Sequence, residues 1–143
     1  MARVPKLSAD EIPEEYRDSF VNIEQAFARN ANLPPHYFNC PEIAELIFGI
    51  GAKFRAKEIL PPRLVEIIVV TVSKVNECPY CTVHHSNRAV ELGMDTETLE
   101  NILEPNPTGL NAKEKLVRDY ARLVIERPWG IRDKVYEDMA VHF

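Results

Sequence analysis

The sequence predicts an all-α fold, for three reasons. Glycine is scarce, at 5 of 143 residues, and most of the 11 prolines stand between segments rather than within them. Inside the segments, apolar residues recur at the spacing of a helix, about every 3.6 residues. Two Ser/Asn-to-Glu pairs have the three-residue separation of helix-capping boxes. The composition, 45% hydrophobic and 27% charged, is near the globular average, so we expect one domain over residues 1–143.

The first third of the chain predicts two helices. Ser8 and Glu11 form a capping box that predicts the start of the first helix, which continues to the polar pair Asn30 and Asn32. A turn is expected at Leu33-Pro34-Pro35. The second helix follows Pro41, ends before Leu60-Pro61-Pro62, and has its apolar residues at helical spacing: Ile43, Leu46, Ile47, Ile50 and Phe54.

The middle of the chain contains an ambiguous apolar segment. The β-branched run from Ile67 to Val72 would suit a buried strand. The whole segment, Arg63 to Asn76, is about fourteen residues long, which favours a buried helix. A further helix is predicted from Pro79 to Leu92, with Gly93 in the left-handed position that ends many helices.

The last third predicts three helices. Asp95 caps a short helix through Leu103, and residues 104–109 form a loop. Asn111 and Glu114 cap an amphipathic helix that runs to Arg127-Pro128. The final segment, Ile131 to Phe143, stops without a capping residue. Two interpretations stay open: the last helix frays, or the natural sequence continues beyond Phe143.

Charge and hydropathy exclude several classes of partner. The chain has 17 basic and 22 acidic residues, a formal charge of −5, and no basic run, so we expect no nucleic acid and no membrane partner. The longest uncharged apolar stretch, Ile67 to Ser73, is much shorter than the ~20 residues of a membrane span. Charges and prolines occupy residues 1–13, where a signal peptide would be apolar. We therefore expect a cytoplasmic protein.

The segment Cys78-Pro79-Tyr80-Cys81 is the most informative motif. Because proline favours the first helical position, Cys78 should be the N-cap, with Cys81 in the first turn. Free backbone N–H groups and the helix dipole favour a thiolate there. His85 follows Cys81 by four residues and shares its helix face. A nucleophile and a base are thus expected side by side.

Glu66 supplies a third candidate group. If the helix over 63–76 reverses near Glu77 and packs antiparallel to the next helix, Glu66 lies about 16 Å from the turn and His85 about 12 Å. The two side chains can then meet, and a carboxylate beside an imidazole would orient it.

These four residues resemble a known motif. Glu66, Cys78, Cys81 and His85 have the spacing of the Glu…Cys-x-x-Cys-x-x-x-His motif of the alkyl hydroperoxidase D and carboxymuconolactone decarboxylase superfamily. Leu33-Pro34…Phe38…Pro41-Glu42 and Glu91-Leu92-Gly93 are also similar to that family. The resemblance implies a helical peroxidase that self-associates as trimers, multiples of trimers or dimers. It also implies that Cys81 attacks the peroxide and that Cys78 then forms a disulfide with it. Glu66 and His85 would relay protons, and a dithiol or a protein reductant would restore the thiols. We expect no cofactor and no metal.

Two other functions stay open. One is a lactone decarboxylase-like enzyme in which Glu66 and His85 transfer protons without thiol redox chemistry. The other is a non-catalytic oligomeric redox sensor. The best-characterised members of the family have a histidine directly before the second cysteine, whereas this chain has Tyr80.

The motif residues also have structural explanations. The cysteines could be buried small residues or zinc ligands, although Cys78 and His85 would lie about 10 Å apart along one helix. Cys-Pro-Tyr-Cys also resembles the glutaredoxin active site, but no later segment alternates as that fold's strands do. Glu66 could face solvent beside Arg63. We interpret the remaining candidates as structural: Tyr80 and His84 at a boundary, Cys40 inert, and Trp129 a packed anchor.

Overall fold

The all-α prediction is confirmed. A computed structural model describes residues 3–143, which form eight α-helices and four short 3₁₀ helices, with no β-strand in that range. None of these helices is long and apolar enough to cross a membrane. The chain divides into two compact units, Met1–Ile59 and Leu60–Phe143, each with its own core. The single domain over residues 1–143 stays a prediction.

The first unit is built around aromatic side chains. Its elements are 3₁₀ helices at Ala9–Glu11, Glu14–Tyr16 and Ala28–Asn30 and the helices α1 (Arg17–Ala26), α2 (Pro34–Tyr37) and α3 (Pro41–Ala56). The rings of Phe20 and Phe38 meet edge to face at 5.0 Å, and those of Phe27 and Phe48 at 4.7 Å. The buried residues of its hydrophobic cluster are Ile12, Phe20, Phe38, Ala44 and Phe48.

Two predictions for this unit were wrong. The Ser8 N–H and Oγ do bond Glu11 Oε2, at 2.8 and 2.7 Å, but the helix that they start ends at Glu11. Pro13 holds Ile12 in an extended conformation, so α1 begins only at Arg17. The predicted turn at Leu33-Pro34-Pro35 instead begins α2, because proline is well tolerated in the first helical turn.

The second unit has a central helix, α4 (Pro62–Val75), which packs against both α5 (Pro79–Glu91) and α7 (Ala112–Glu126). The remaining elements are α6 (Thr96–Glu100), a 3₁₀ helix at Pro128–Gly130 and α8 (Asp133–Ala140). Its core consists mainly of aliphatic residues from these helices and from the connections between them: Leu64, Ile67, Val70, Ala89, Met94, Leu99, Ile102, Leu110 and Val117.

The β-branched segment is a helix, which decides the ambiguity in the sequence. Leu64, Ile67 and Val70 recur at helical spacing on its buried face. Thr71 Oγ1 donates to the carbonyl of Ile67 at 2.7 Å, so this hydroxyl is satisfied within the same helix. Tertiary burial therefore overrides the weak strand propensity of the run.

Helix α6 ends at Glu100, earlier than the predicted Leu103. Pro105 and Pro107 have no N–H groups to donate to the carbonyls four residues before them, so the helix cannot continue there. The buried Arg118 instead forms hydrogen bonds with the segment that follows α6. Its Nη1 donates to the carbonyls of Ile102, at 3.1 Å, and Glu104, at 2.7 Å.

The C-terminal segment differs from prediction in two respects. Trp129 is 85% exposed, so it is not a packed anchor. The bend at Arg127-Pro128 leads into a 3₁₀ helix that leaves the indole outside the core. Helix α8 begins at Asp133 rather than at Ile131, which is extended.

Glu114 joins the starts of α4 and α7. Its carboxylate accepts from the Asn111 N–H at 2.9 Å and from Arg63 Nε at 2.6 Å, and its own N–H donates to Asn111 Oδ1. The predicted capping pair is therefore confirmed. Burial opposes ionisation of this carboxyl, but the bonds from Arg63 and Asn111 outweigh it and lower the pKa of Glu114.

We expect Glu114→Gln to lower the free energy of unfolding by about 1–3 kcal/mol at pH 7, because a charged hydrogen bond is weakened. The folded-state pKa of Glu114 is below its usual value, so its contribution is present above the unfolded pKa of about 4.3 and is lost as pH falls through the folded value. Urea unfolding from pH 7 to pH 3 should show the difference shrinking. A difference independent of pH would contradict the prediction.

Two glycines with positive φ provide a matched pair of substitutions. Gly109 has φ +77°, and a Cβ there would overlap Thr98 Oγ1 and lie 2.9 Å from Asp95 Oδ2. Gly93 has φ +83°, but its Cβ would meet nothing within 4 Å. Gly93→Ala should therefore cost only the backbone strain, about 1 kcal/mol, and Gly109→Ala about 2–4 kcal/mol. Equal losses in urea unfolding would be inconsistent with a close contact at Gly109.

Candidate functional site

The two cysteines of the motif lie at the start of α5. Cys78 is the N-cap residue with an extended backbone, and Pro79 occupies the first helical position. The N–H of Cys81 donates to Cys78 Sγ at 3.3 Å, so the first sulfur serves as the helix cap. The two sulfurs are paired, and the Cα atoms are 5.5 Å apart, within the usual disulfide range of about 4.4–6.8 Å. The pair can thus exist as a dithiol or a disulfide with little backbone movement.

The helix start favours negative charge on these sulfurs. Backbone N–H groups in the first turn have no partner inside the helix, and the helix dipole is positive at this end. Both cysteines are half-buried, which leaves them accessible to a small reagent. A half-buried thiol at a helix N-terminus is the environment in which cysteine becomes reactive.

Glu66 and His85 form the second pair of the site. Glu66 Oε2 lies 2.8 Å from His85 Nδ1, which joins α4 to α5 across 19 residues of sequence. Glu66 is 8% exposed, so the alternative in which it faces solvent beside Arg63 is wrong. Arg63 instead bonds Glu114. With Nδ1 held by the carboxylate, Nε2 is the ring nitrogen that can exchange a proton.

The four predicted site residues thus form two pairs on one antiparallel helix hairpin. Cys78 and Cys81 lie at the end of the hairpin, and Glu66 and His85 lie further from the turn. Cys81 and His85 share one face of α5 by their four-residue spacing. The arrangement can deprotonate a thiol and store or return its proton.

Tyr80 and His84 make a contact that the sequence analysis missed. Their rings lie 4.3 Å apart, centroid to centroid, on the same helix as the dithiol. The Tyr80 hydroxyl is buried and has no hydrogen-bond partner among residues 3–143. Burial raises the pKa of Tyr80 above its usual value near 10. The four-residue spacing was the only signal of this contact, and no sequence pattern indicates the unpartnered hydroxyl.

Other candidate features lie outside these pairs. In the part of the chain that the structure describes, no group of three or more His, Cys, Asp or Glu residues is arranged to hold a metal ion. Cys40 is exposed in the first unit, with Sγ 3.9 Å from Glu42. A shallow cleft of about 190 Å³ between α5 and α6 is lined in part by Thr82, Ser86 and Leu99, and by none of the four site residues.

A scan against protein-family models matches residues 41–115 to the carboxymuconolactone decarboxylase family. The match covers slightly more than half of the chain and contains all four residues of the two pairs. The chain belongs to the carboxymuconolactone decarboxylase family. Comparisons with curated proteins and with solved structures gave no match.

Membership of the carboxymuconolactone decarboxylase family confirms the resemblance found in the sequence. The matched region begins with α3 and ends in the first turn of α7, so it includes the whole hairpin of α4 and α5. In this member of the family, Tyr80 stands between the two cysteines.

The capping role of Cys78 can be tested without oxidation chemistry. Under reducing conditions we expect Cys78→Ser to be about 1 kcal/mol more stable than Cys78→Ala, because serine caps a helix and alanine does not. Cys81→Ser and Cys81→Ala are the controls and should differ less, since Cys81 lies inside the helix. Chemical unfolding in the presence of a thiol reductant measures both pairs. If the two Cys78 variants unfold alike, that sulfur is not the cap.

Proposed function

We propose that this member of the carboxymuconolactone decarboxylase family is a thiol-dependent peroxidase and disulfide reductase. One observation carries the proposal: the Cys78–Cys81 pair at the start of α5 stands on the same helix hairpin as a buried carboxylate–imidazole pair. The substrate is a small hydroperoxide. A reducing compartment suits a dithiol that must be regenerated, so we place the protein in the cytoplasm.

Cys81 is the attacking thiol in this proposal. Two effects act on the two sulfurs: the helix cap favours the thiolate of Cys78, whereas His85 shares the face of Cys81. We choose Cys81, because a base one turn away can remove its proton as the peroxide arrives. Glu66 holds the imidazole in its orientation through the contact between Glu66 Oε2 and His85 Nδ1.

The cycle begins with the oxidation of Cys81 by the peroxide. His85 takes the thiol proton of Cys81, and the thiolate attacks the terminal peroxide oxygen. The S–O bond forms while the O–O bond breaks, so sulfur is oxidised to a sulfenic acid. The peroxide is reduced to an alcohol, whose oxygen receives the proton from His85.

Cys78 and Cys81 then form a disulfide, and a reductant restores the two thiols. Cys78 attacks the sulfenic sulfur of Cys81, the S–S bond forms and the S–O bond breaks; the leaving hydroxide takes the thiol proton of Cys78 and is released as water. The 5.5 Å separation of the Cα atoms supports this step. An external dithiol or protein reductant then supplies two electrons and two protons to the disulfide.

The family match favours a second candidate, a lactone decarboxylase-like enzyme. In that case Glu66 and His85 would transfer protons on a substrate carbon, and the dithiol would take no part. Ultraviolet loss of a muconolactone tests this activity. If the lactone is consumed equally by the wild type and by a variant lacking both cysteines, the second candidate replaces the first.

We expect the two cysteine variants to behave differently with peroxide. Cys81→Ser should abolish peroxide consumption and sulfenic acid formation. Cys78→Ser should still form a sulfenic acid at Cys81 that dimedone traps, but no disulfide. Glu66→Gln and His85→Ala should slow the reaction without preventing folding. Dimedone labelling by mass spectrometry, with a dithiol reductant in the turnover assay, measures these outcomes.

Two results would contradict this assignment. Labelling of Cys78 in Cys81→Ser, without labelling of Cys81 in Cys78→Ser, would reverse the two roles. If neither sulfur is labelled and the peroxide persists, the protein is not a peroxidase.

We also propose that the protein self-associates. Most apolar side chains of α4 are buried or half-buried, so that helix presents little apolar surface to a partner. The larger exposed apolar face is on α3, where Leu46 is 62% exposed and Ile50 is 70% exposed. Its members share one side of that helix: Ile43, Leu46, Ile47, Ile50 and Phe54. A second copy of the chain would cover it.

The double variant Leu46→Glu, Ile50→Glu should convert the oligomer to monomers, because two charges would be buried at the interface. Light scattering at micromolar concentration measures the mass. Val21→Glu, at a moderately exposed position of α1, is the control and should leave the oligomer intact. A monomeric wild type would contradict self-association, and an oligomeric double variant would place the interface elsewhere.

A further inference from the structure

The shallow cleft of about 190 Å³ beside the dithiol helix has no role in the proposed peroxidase. It lies between α5 and α6 and reaches the last turn of α4, and none of the four site residues lines it. Six of its lining residues bear on what it can bind: Lys74, Thr82, Ser86, Val90, Leu99 and Glu100. What the cleft binds is therefore independent of the peroxidase proposal.

The hydroxyl groups of Thr82 and Ser86 are unpaired and accessible. The two residues are one turn apart inside α5, and neither hydroxyl forms a hydrogen bond among residues 3–143. In α4, by contrast, the hydroxyls of Thr71 and Ser73 donate to the carbonyls four residues before them, at 2.7 and 2.6 Å. Neither Thr82 nor Ser86 is among the buried unpaired groups, so both hydroxyls can be reached from solvent. A molecule in the cleft can therefore bond to both.

Lys74 and Glu100 bring opposite charges to the cleft. Lys74 Nζ donates to the backbone carbonyl of Glu100 at 2.8 Å, which uses one of its three N–H groups and leaves two. Neither the ammonium of Lys74 nor the carboxylate of Glu100 forms a salt bridge among residues 3–143. Two opposite charges that line one cleft without being paired complement a molecule that carries both charges itself.

The cleft continues from its charged end along an apolar surface. Lys74 and Thr82 flank Glu77 at the turn of the hairpin, so both lie at the same end. Val90 follows Thr82 by eight residues, which places it about 12 Å farther along α5. Leu99 is buried in the core of the unit and forms the floor, whereas Val90 is 42% exposed. A few polar groups at one end of an apolar cleft are typical of a site that orients a small molecule.

We propose that this cleft binds a free α-amino acid with an unbranched apolar side chain. The carboxylate of the amino acid accepts hydrogen bonds from the Lys74 ammonium and the Thr82 hydroxyl. Its ammonium group donates to the Glu100 carboxylate. Its side chain lies over Leu99 toward Val90, where it buries apolar surface.

A ligand with a single charge fits the cleft less well. A simple carboxylic acid, once ionised, pairs with Lys74 but meets the carboxylate of Glu100 as a like charge. An alkylamine pairs with Glu100 but meets the ammonium of Lys74. Each of them leaves one charge of the protein without a partner, so the two lining charges select for a zwitterion.

The experiment titrates three ligands of one chain length into the isotope-labelled protein in the presence of a thiol reductant. L-norleucine carries both charges, hexanoate lacks the ammonium group, and pentylamine lacks the carboxylate. NMR at pH 7 and constant salt follows the backbone amides of Thr82, Ser86 and Val90. We expect saturable shifts with L-norleucine. Each single-charge ligand should bind at least about tenfold more weakly, because it loses a hydrogen bond to a charged group.

A substitution that fills the cleft tests its position. Ser86→Leu places a larger side chain between Thr82 and Val90 without removing either charge, and Val83→Leu, at an exposed position of α5 outside the cleft, is the matched control. Ser86→Leu should weaken L-norleucine binding by at least about tenfold, and Val83→Leu by less than about twofold. Urea unfolding of both variants shows whether they are folded.

Three results would overturn the inference. The first is no saturable shift with L-norleucine. The second is binding of hexanoate or pentylamine as tight as that of L-norleucine, which would mean that one of the two charges does not contact the ligand. The third is unchanged binding by folded Ser86→Leu, which would place the ligand elsewhere. Because the ligand comparison uses the wild-type protein, it decides the matter even if Ser86→Leu does not fold.

Discussion

The contact between Glu66 and His85 fixes the geometry of the hairpin on which the candidate site is built. A carboxylate that is 8% exposed needs a partner, and on this hairpin the partner is the imidazole 2.8 Å away. A slip of α5 along α4 by one residue would rotate His85 away and leave the carboxylate unpaired. The hydrogen bond therefore favours one register of α5 against α4. That register determines how far the dithiol lies from the Glu66 carboxylate.

The turn between α4 and α5 adds a second constraint. Glu77 has φ +50°, in the left-handed region that lets a helix end, and the Cys78 N–H donates to the carbonyl of Ser73 at 2.9 Å. Cys78 thus closes α4 with its backbone while it caps α5 with its sulfur. Because one residue does both, the dithiol cannot move without disturbing the hairpin. The catalytic candidates are held by the same contacts that hold the fold.

The sequence predicts those elements best whose ends carry strong local signals. Proline at the start of α4 and α5, Gly93 and the Asn111–Glu114 pair give their bounds closely. The pairing of Glu66 with His85 follows from helix rise and a short turn. A local signal fails where a neighbouring one overrides it: Pro13 ends the helix that Ser8 begins. The exposure of Trp129 and the isolation of the Tyr80 hydroxyl depend on tertiary packing, which no local pattern encodes.

Two buried polar side chains of the second unit are satisfied to different degrees. Arg118 is 2% exposed, and its terminal nitrogens reach three backbone carbonyls, those of Ile102, Glu104 and Pro105. The loop before α7 is shaped to supply these acceptors. No comparable acceptor is supplied to Tyr80, although its hydroxyl is a simpler group to satisfy. The fold thus supplies carbonyl acceptors to the terminal nitrogens of Arg118 but none to the Tyr80 hydroxyl among residues 3–143, because the loop before α7 turns its carbonyls toward the guanidinium and not toward the phenol.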